Sequence, residues 1–427
     1  MNIKKSLTAV LAMSCLIFFS ACGTSTNTSP PSSSPPEEKT DEIKVEDSTK
    51  TNEKGTIKDM SIDFASDFSD GVAWVTASTN EEGTSHEQFL IDKKGNILFS
   101  SSVLTDQNGN QFDFYGNTGV NLTNYYNDAA LAYISYPDAK YNVTTADDCA
   151  NTIINKNGEI IWSIEKEGWE EAKKFFPDVE ITSVHGATNF TNGNTADLRT
   201  IPYRGYMAVE IEVDSFEYTG SYIGLLDAQG NWVVEPTTPC DSIAYSAFHN
   251  TEDYGFTSAW LFRYDTGELI TIESDADPFD VEDDIATEIY FSKHNNLMWD
   301  IGNPDGFFDP SNKLVIDTEA MSAVGDDAVF EDGYAIIELE NEQDSRYLTV
   351  IDTTGKQMFS PIKNTGHGNL SEGKFYWDEG QCYLDVNGEQ IGDITGARGH
   401  DFSEGLAWLY INNEEWHCID GEGNIVI

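Results

Sequence analysis

Short apolar segments recur along the chain, each too brief for a helix and each bounded by turn residues. In the first clear case, apolar residues 72–75 are followed by 89–91, by an Asp-x-x-Gly step at 92–95 and by a third apolar segment at 97–99. Residues 402–427, at the end of the chain, repeat this order almost unchanged. The pattern therefore predicts a protein built from repeated groups of antiparallel strands.

Six units of this kind are clear and a seventh is degenerate. Most of the clear units open with an acidic residue followed by Gly, ahead of the first apolar segment. The degenerate unit keeps only the segments 306–309 and 313–316. The clear units lie at residues 68–99, 126–162, 204–234, 330–359, 371–391 and 402–427.

The Asp-x-x-Gly step is a hairpin signal. An Asp side chain can hydrogen-bond to the backbone that follows it, and Gly adopts the left-handed conformation that lets a strand reverse with a bulge. A calcium-binding interpretation of the string at Asp106 is less favoured. An EF-hand loop needs Gly at its sixth position and Glu at its twelfth, where this chain has Gln111 and Asn117.

These repeats predict an all-β fold of three- to four-stranded antiparallel units. A closed β-propeller of about seven blades is the favoured architecture, and an open β-solenoid or two packed half-arrays is the alternative. Residues 56–63 precede the first unit. We expect this N-terminal strand to pair into the last unit and close the ring, because an unpaired outer edge invites aggregation.

Longer spacing between units in the middle of the chain indicates insertions, which in repeat folds often form a binding face. Residues 167–176 have helical composition and stop before Pro177. The other two insertions are the polar stretch 186–200 and the acidic run 274–284. These three segments are the predicted location of binding specificity.

The N-terminus has the layout of a secretory signal. Lys4 and Lys5 precede an apolar run to about residue 19, which is shorter than the roughly 20 residues of a membrane span. We expect residues 1–21 to be a cleaved signal peptide. Residues 22–55 are expected to be a disordered tether, because their Ser, Thr, Pro and Glu composition cannot bury a core.

Charge narrows the range of partners. The chain has 74 acidic and 24 basic residues, for a formal net charge of −50, and no cluster of Lys and Arg that could contact phosphates. Nucleic-acid binding is therefore not expected. A self-repelling acidic surface favours a soluble monomer, and an affinity for cations or for a basic partner is the more specific interpretation.

Of the six cysteines, Cys15 lies in the signal and Cys22 directly follows it. The other four are Cys149, Cys240, Cys382 and Cys418. None forms a Cys-x-x-Cys pair, so neither a zinc site nor a redox motif is indicated. Cys382 and Cys418 stand at positions of their units that differ by one residue, which places them on opposite faces of their strands. Buried free thiols are the expected state.

Two resemblances add to this picture. Residues 19–22, Phe-Ser-Ala-Cys, resemble the lipobox of bacterial lipoproteins. This resemblance implies that Cys22 is lipidated, with palmitate among its acyl groups, and anchors the chain in the bilayer at the extracytoplasmic face of a bacterial cell membrane. An ordinary secretory signal without lipid is the alternative.

The unit F-S-[DE]-G-x-A-x-V, followed by an Asp-x-x-Gly hairpin, resembles the WG-repeat proteins of bacteria over most of residues 64–427. This resemblance implies a β-repeat domain at 56–427 and supplies no catalytic residue.

Seven histidines are scattered without metal-ligand spacing, and nucleophile-elbow, Walker and Rossmann motifs are absent from the sequence. We therefore expect a protein that is not an enzyme and has no cofactor. It would act as a membrane-anchored, extracellular interaction scaffold for a protein or glycan partner. The alternative is an envelope protein that binds carbohydrate or a small ligand, with calcium as an aid, through exposed aromatic side chains such as Trp169 and Trp260.

Overall fold

The structure is a computed structural model. It describes residues 55–80, 85–100, 123–132, 150–188, 204–214, 219–241, 248–251, 253–273, 276–299, 306–324, 328–343, 345–411 and 415–427. The predicted signal peptide and tether, including Cys22, lie outside these residues apart from Gly55. The same is true of Cys149 and of the string at Asp106.

The described residues form eight antiparallel sheets, each made of strands that are consecutive in the chain. Sheet 1 contains β1 (Ile62–Ala65), β2 (Val72–Ser78), β3 (His86–Asp92) and β4 (Ile97–Ser100), and sheet 2 contains β5 (Ala129–Ala132), β6 (Thr152–Asn155) and β7 (Ile160–Ser163). Sheet 3 contains β8 (Glu180–Gly186), β9 (Tyr206–Asp214), β10 (Thr219–Asp227), β11 (Trp232–Val234) and β12 (Pro239–Cys240). Sheet 4 contains β13 (His249–Asn250), β14 (Tyr254–Phe256), β15 (Trp260–Arg263) and β16 (Leu269–Thr271).

The second half of the chain continues in the same way. Sheet 5 contains β17 (Met298–Trp299), β18 (Gly306–Phe308) and β19 (Leu314–Asp317), and sheet 6 contains β20 (Ala323–Val324), β21 (Tyr334–Glu340), β22 (Arg346–Asp352) and β23 (Ile362–Lys363). Sheet 7 contains β24 (Lys374–Trp377) and β25 (Cys382–Asp385), and sheet 8 contains β26 (Arg398–Gly399), β27 (Leu406–Ile411) and β28 (Glu415–Asp420). The predicted all-β repeat of antiparallel units is therefore confirmed.

Two α-helices lie between sheets in the chain. α1 (Trp169–Phe175) follows a π-helical turn, Ile164–Gly168, and forms the helix that the sequence predicts ahead of Pro177. α2 (Pro278–Lys293) begins inside the acidic run, where the Asp277 side chain accepts a hydrogen bond from the backbone N–H of Phe279. Short 3₁₀ turns occupy Ile57–Asp59 and Glu319–Met321. No helix of the described residues is both long enough and apolar enough to cross a membrane.

The Asp-x-x-Gly steps form the hairpin turns that the sequence predicts. At Asp92, one carboxylate oxygen accepts hydrogen bonds from the backbone N–H groups of Lys94 and Asn96, at 2.8 and 2.9 Å, and Gly95 has a φ of 80°. The strand register shifts just before this turn, which is the expected bulge. Among the described residues, the same pair of hydrogen bonds recurs in the turns that begin at Asp92, Asn155, Asp227, Asp309, Asp352, Asp385 and Asp420.

The acidic residue and Gly that open a unit form a second kind of turn. Asp70 and Gly71 have φ angles of 55° and 78°, and their neighbours Ser69 and Val72 exchange two backbone hydrogen bonds. This is a two-residue type I′ hairpin loop, whose left-handed backbone favours Gly. Equivalent turns lie at residues 126–129, 331–334, 371–374 and 403–406.

Most neighbouring sheets of the described residues pack face to face, as propeller blades do. In sheet 8, for example, Leu409 and Ile419 lie in a cluster with sheet 7, whereas Trp408 and Cys418 lie in a cluster with sheet 1. Hydrophobic clusters likewise join sheets 1 to 2, 2 to 3, 3 to 4, 5 to 6 and 6 to 7. Sheet 4 packs its other face against Ile289 of α2. The contact between the last sheet and the first favours the closed architecture over an open array.

Three successive pairs of type I′ turns are joined by an equivalent set of hydrogen bonds, which we call the turn-to-turn hydrogen bonds. The Ser before the acidic residue donates its hydroxyl to the main-chain carbonyl of the aromatic residue before the next turn, at 2.5–2.6 Å. The acidic side chain accepts from the backbone N–H at the second position of that next turn. The pairs are Ser371 and Glu372 with Phe402 and Gly405, Ser403 and Glu404 with Phe68 and Gly71, and Ser69 and Asp70 with Tyr125 and Asp128.

The turn-to-turn hydrogen bonds between sheets 8 and 1 close the succession without a shared strand. Trp408 adds to this contact, because its ring stacks on Phe68 at 5.9 Å and its indole N–H donates to the carbonyl of Ser66 at 2.9 Å. The expectation that the N-terminal strand pairs into the last unit is wrong. β1 pairs with β2 of its own sheet, and the preceding residue Ile57 packs beside Ile427.

The number of units also differs from the expected seven, because eight sheets are present in the described residues. Sheet 5 is the unit that appears degenerate in the sequence. Sheet 4 is the unit that the sequence pattern does not reveal. Its hairpin turn is one residue longer than the regular turns, because four residues separate the closing pair Arg263 and Glu268, whereas three separate Asp92 and Asn96. Arg263 therefore stands where the regular turns have Asp, and the Gly267 N–H donates to its carbonyl.

The cysteines that the structure describes behave as expected. Cys240, Cys382 and Cys418 are buried free thiols. Cys382 lies in the cluster with sheet 6 and Cys418 in the cluster with sheet 1, so they do point to opposite faces of their sheets. Burial raises the pKa of each thiol, to about 12 for Cys418, which keeps these groups protonated and unreactive.

Removal of the Glu404 carboxylate should weaken the contact that closes the ring. Its Oε2 accepts from the Gly71 N–H at 2.8 Å and pairs with the Lys93 ammonium at 3.0 Å. We expect Glu404→Ala to lower the free energy of unfolding by about 1 kcal/mol, since the site is partly exposed. Hydrogen exchange at the Gly71 amide should become faster. Glu422→Ala is the control, and an equal effect from both variants would contradict this role.

Acid should weaken the Asp-x-x-Gly turns. The side-chain hydrogen bond from Asn424 is the main cause of the lowered pKa of Asp420. A native pKa below the unfolded value of about 3.9 stabilises the fold above that value, and this contribution is lost as the pH falls through the native pKa. Asp420→Asn should melt below the wild type near neutral pH, and the two melting curves should converge at low pH. A difference that stays constant with pH would contradict the linkage.

Candidate functional site

A cavity of about 510 Å³ opens between sheets 6 and 7. It lies beside the type I′ turns, because Asp332 from the turn of sheet 6 and Glu372 from the turn of sheet 7 both line it. Asp401, two residues before Ser403 in sheet 8, lines it as well. The cavity therefore draws on three successive units, each of which contributes residues from the same region of the repeat.

The cavity occurs where the turn-to-turn hydrogen bonds are interrupted. In sheet 6 the position of the donating Ser is taken by Glu331, and an ionised carboxylate has no hydrogen to donate to the carbonyl of Leu370. Among the described residues, the Asp332 carboxylate also makes no hydrogen bond to the N–H of Gly373. The turns of sheets 6 and 7 are therefore not joined as those of sheets 7 and 8 are.

Asp401 is a partly buried carboxylate of the cavity lining, and its pKa is raised. Its two oxygens accept hydrogen bonds from the backbone and side-chain N–H groups of Asn369, at 3.0 and 2.8 Å. Burial is the main cause that raises its pKa, and the negative charge of Asp67 adds to the increase. Asp67 in turn lies 2.9 Å from Nδ1 of His400. A positive charge placed in the cavity would therefore favour ionisation of Asp401.

Glu338 organises the opposite side of the cavity. One carboxylate oxygen accepts a hydrogen bond from the Asn364 side chain at 2.7 Å and lies 3.6 Å from Nε2 of His367. The other oxygen pairs with Arg346 at 3.1 Å. The hydrogen bond from Asn364 and the ion pair with Arg346 thus hold this carboxylate in place, in a part of the wall built on β21.

The lining combines negative charge with an apolar surface. The described lining residues include no Lys or Arg. Five carboxylates line the cavity: Glu331, Asp332, Glu338, Glu372 and Asp401. Five aliphatic or small apolar residues complete the wall: Val324, Ala328, Val329, Ile336 and Leu370. This arrangement suits a ligand group that carries a positive charge or several hydrogen-bond donors next to an apolar body. Among the described lining residues there is no Phe, Tyr or Trp ring on which a sugar could stack.

Two aromatic residues considered as exposed binding groups are core residues instead. Trp169 is 8% exposed and packs in the cluster between sheets 2 and 3. Trp260 is 4% exposed and belongs to β15 of sheet 4, where it packs against Phe248. The expectation of exposure is wrong for both, because each lies on a face that a neighbouring element covers.

The parts of the predicted insertions that the structure describes do not line the cavity. Residues 167–176 contain α1, which packs Ala172 into the core, and residues 276–284 include the start of α2, which packs on sheet 4. Of the stretch 186–200, only residues 186–188 are described. The lining residues His367, Asn369 and Asp401 were not identified from the sequence. The available signal was Glu331, which breaks the Ser-acid-Gly order of the repeat.

Comparison with known proteins adds little to this geometry. No family model matches the chain, and no curated protein matches it. Among solved structures, it is similar to the β-propeller domain of the Trilobed protease from Pyrococcus furiosus, with 9% identity, a TM-score of 0.28 and coverage of 86% of this chain and 98% of that one. It is also similar to the Dos1 propeller, with 12% identity, a TM-score of 0.24 and coverage of 84% and 78%. Neither likeness bears on the function of this chain.

Neutralisation of Asp401 should not cost stability near neutral pH. Because its native pKa is raised, ionisation is harder in the folded state, and stability falls as the pH rises from the unfolded value of about 3.9 through the native pKa. We expect Asp401→Asn to melt at or above the wild-type temperature at pH 7. The variant should lose this advantage below pH 4 or so. An equal loss of stability at every pH would show that Asp401 serves only the fold.

Proposed function

We propose that this protein is a lipid-anchored, extracytoplasmic binding scaffold whose ligand-binding site is the acidic cavity between sheets 6 and 7. The main support for a binding site here is the cavity itself, which lies where Glu331 replaces the Ser of the turn-to-turn hydrogen bonds. Cys22 and the polar tether after it support attachment to a membrane.

The chemistry of the lining defines the partner class. An ammonium or guanidinium group could pair with Asp332 or Asp401, while its carbon chain packs against Val329 and Leu370. A Lys or Arg side chain that projects from a protein partner has both features. The formal charge of the whole chain, −50, would also attract a basic partner from a distance.

A second candidate is a small-ligand binding protein. The volume of about 510 Å³ falls within the range of about 300–1,000 Å³ that is typical of small-molecule sites. An organic amine with an apolar body would meet the same carboxylates and aliphatic side chains. Because the described lining residues include no Phe, Tyr or Trp, a stacked sugar has less support than an amine.

Filling the cavity provides the test. Val329 is 39% exposed on the cavity wall, so Val329→Trp should occupy the space without disrupting the core. Val315→Trp is the matched control, because Val315 is 46% exposed on β19 and does not line the cavity. We expect full-length protein with either Val315→Trp or the wild-type sequence to capture the same partner from solubilised envelopes. Val329→Trp should lose it.

The same variants distinguish the two candidates. If capture yields no protein, but spermidine or arginine raises the melting temperature of the wild type and of Val315→Trp, the small-ligand function is favoured. That shift should vanish in Val329→Trp and in Asp401→Asn. Retention of every interaction by Val329→Trp would show that the cavity is not the binding site.

A further inference from the structure

Three side chains that can ligate a metal lie together on sheet 3, away from the acidic cavity. They are His185 on β8 and Glu210 and Glu212 on β9, and one ligand atom from each lies within 4.8 Å of the other two. All three residues are partly buried. This group is the one cluster of three such side chains among the residues that the structure describes.

The strand ladder sets the position of each ligand. His185 is opposite Glu210 in the register, and Ser183 is opposite Glu212. Glu210 and Glu212 are two residues apart and therefore share one face of β9. Val209 and Ile211, which alternate with them, are buried on the other face in the cluster with sheet 2. The three ligands are thus fixed by backbone pairing rather than by a loop.

The ring of His185 is oriented for ligation through Nε2. Its Nδ1 lies 3.2 Å from the carbonyl oxygen of Gly186, which can only accept, so Nδ1 carries a hydrogen. Histidines that bind metals commonly donate their second ring N–H to a backbone carbonyl in this way. The remaining nitrogen, Nε2, faces the Glu210 carboxylate at a distance of 3.6 Å.

A separation of 3.6 Å between these two atoms is long for a direct hydrogen bond. Two ligands bound to one tetrahedral ion at about 2.0–2.2 Å would be separated by roughly 3.4 Å, which is close to the observed distance. Without a proton or a cation between them, the Nε2 lone pair and the carboxylate would repel one another. Ser183 also fixes the third ligand, since its hydroxyl donates to Glu212 Oε2 at 2.8 Å.

We propose that His185, Glu210 and Glu212 bind one divalent transition-metal ion of the zinc type, with the remaining coordination position open to water. The imidazole nitrogen favours such an ion over calcium, which prefers oxygen ligands alone. β8 is the edge strand of sheet 3, so the ion would link this strand to β9. Binding would therefore stabilise the edge of the sheet.

The test is a zinc titration of the full-length protein, purified in detergent and freed of metal with a chelator. Calorimetry in a large excess of calcium should suppress weak binding to the many other carboxylates. We expect one saturable zinc site per chain and a rise in melting temperature on binding. Cobalt should bind in the same place and give the visible spectrum of a site with nitrogen and oxygen ligands.

Two variants and a control make the result specific. His185→Asn should weaken zinc binding by at least about tenfold, the lower end of the effect seen when even an indirect supporting group is lost. Ser183→Ala keeps all three ligands and should weaken binding less. His417→Asn is the control, because His417 lies 3.4 Å from Glu415, and no third metal-binding side chain joins that pair among the described residues.

The fold and the site are tested separately. The metal-free melting temperatures of the three variants should match the wild type, which would show that any loss of binding is local. The inference is overturned if the wild type binds no zinc in the presence of calcium. It is also overturned if His185→Asn binds zinc as tightly as the wild type, in which case His185 is not a ligand.

Discussion

The closure of this structure depends on the turn-to-turn hydrogen bonds, which join sheets 7, 8, 1 and 2 in succession. Each uses a Ser and an acidic residue of one unit to bind the backbone of the next unit, so the sequence repeat encodes contact between units as well as the turn within one. Glu372 and Glu404 are therefore committed to the fold, although they belong to a strongly acidic surface. Hydrophobic clusters supply most of the burial, and these polar bonds fix which turn meets which.

Departures from the repeat coincide with the features that suggest function. The cavity opens where Glu331 stands in place of Ser. Its lining combines residues from three units, and no single unit contains the whole site. The proposed metal ligands join β8, an edge strand that precedes the regular hairpin of sheet 3, to β9 of that hairpin. In the regular units from sheet 7 through sheet 1, the Ser and the acidic residue instead bind the backbone of the next unit. A repeat fold can thus acquire a site through the loss of one bond between units.

Sequence reasoning succeeds here where structure is set locally. The turn at Asp92 and the helix that ends before Pro177 follow from a few adjacent residues, and both are present. Sheet 4 escapes detection because its turn at Asp265 has a different length. The burial of Trp260 and the assembly of Asp401 with Asn369 depend on elements far apart in the chain, or on a neighbouring sheet. Neither has a periodic signal of its own.

The contact between sheets 8 and 1 changes where the protein is most easily opened. A linear array of repeats frays from its ends, because a terminal unit has one neighbour instead of two. In this chain sheets 8 and 1 contact each other through the same hydrogen bonds that join sheets 7 and 8. The first and the last sheet therefore each have two neighbours, and neither is an exposed end that unfolds easily. Among the described residues no hydrophobic cluster joins sheets 4 and 5: α2 packs on sheet 4, and His294 at its end donates a hydrogen bond to the carbonyl of Phe330, ahead of sheet 6. Partial unfolding should therefore start in the middle of the sequence, far from both termini.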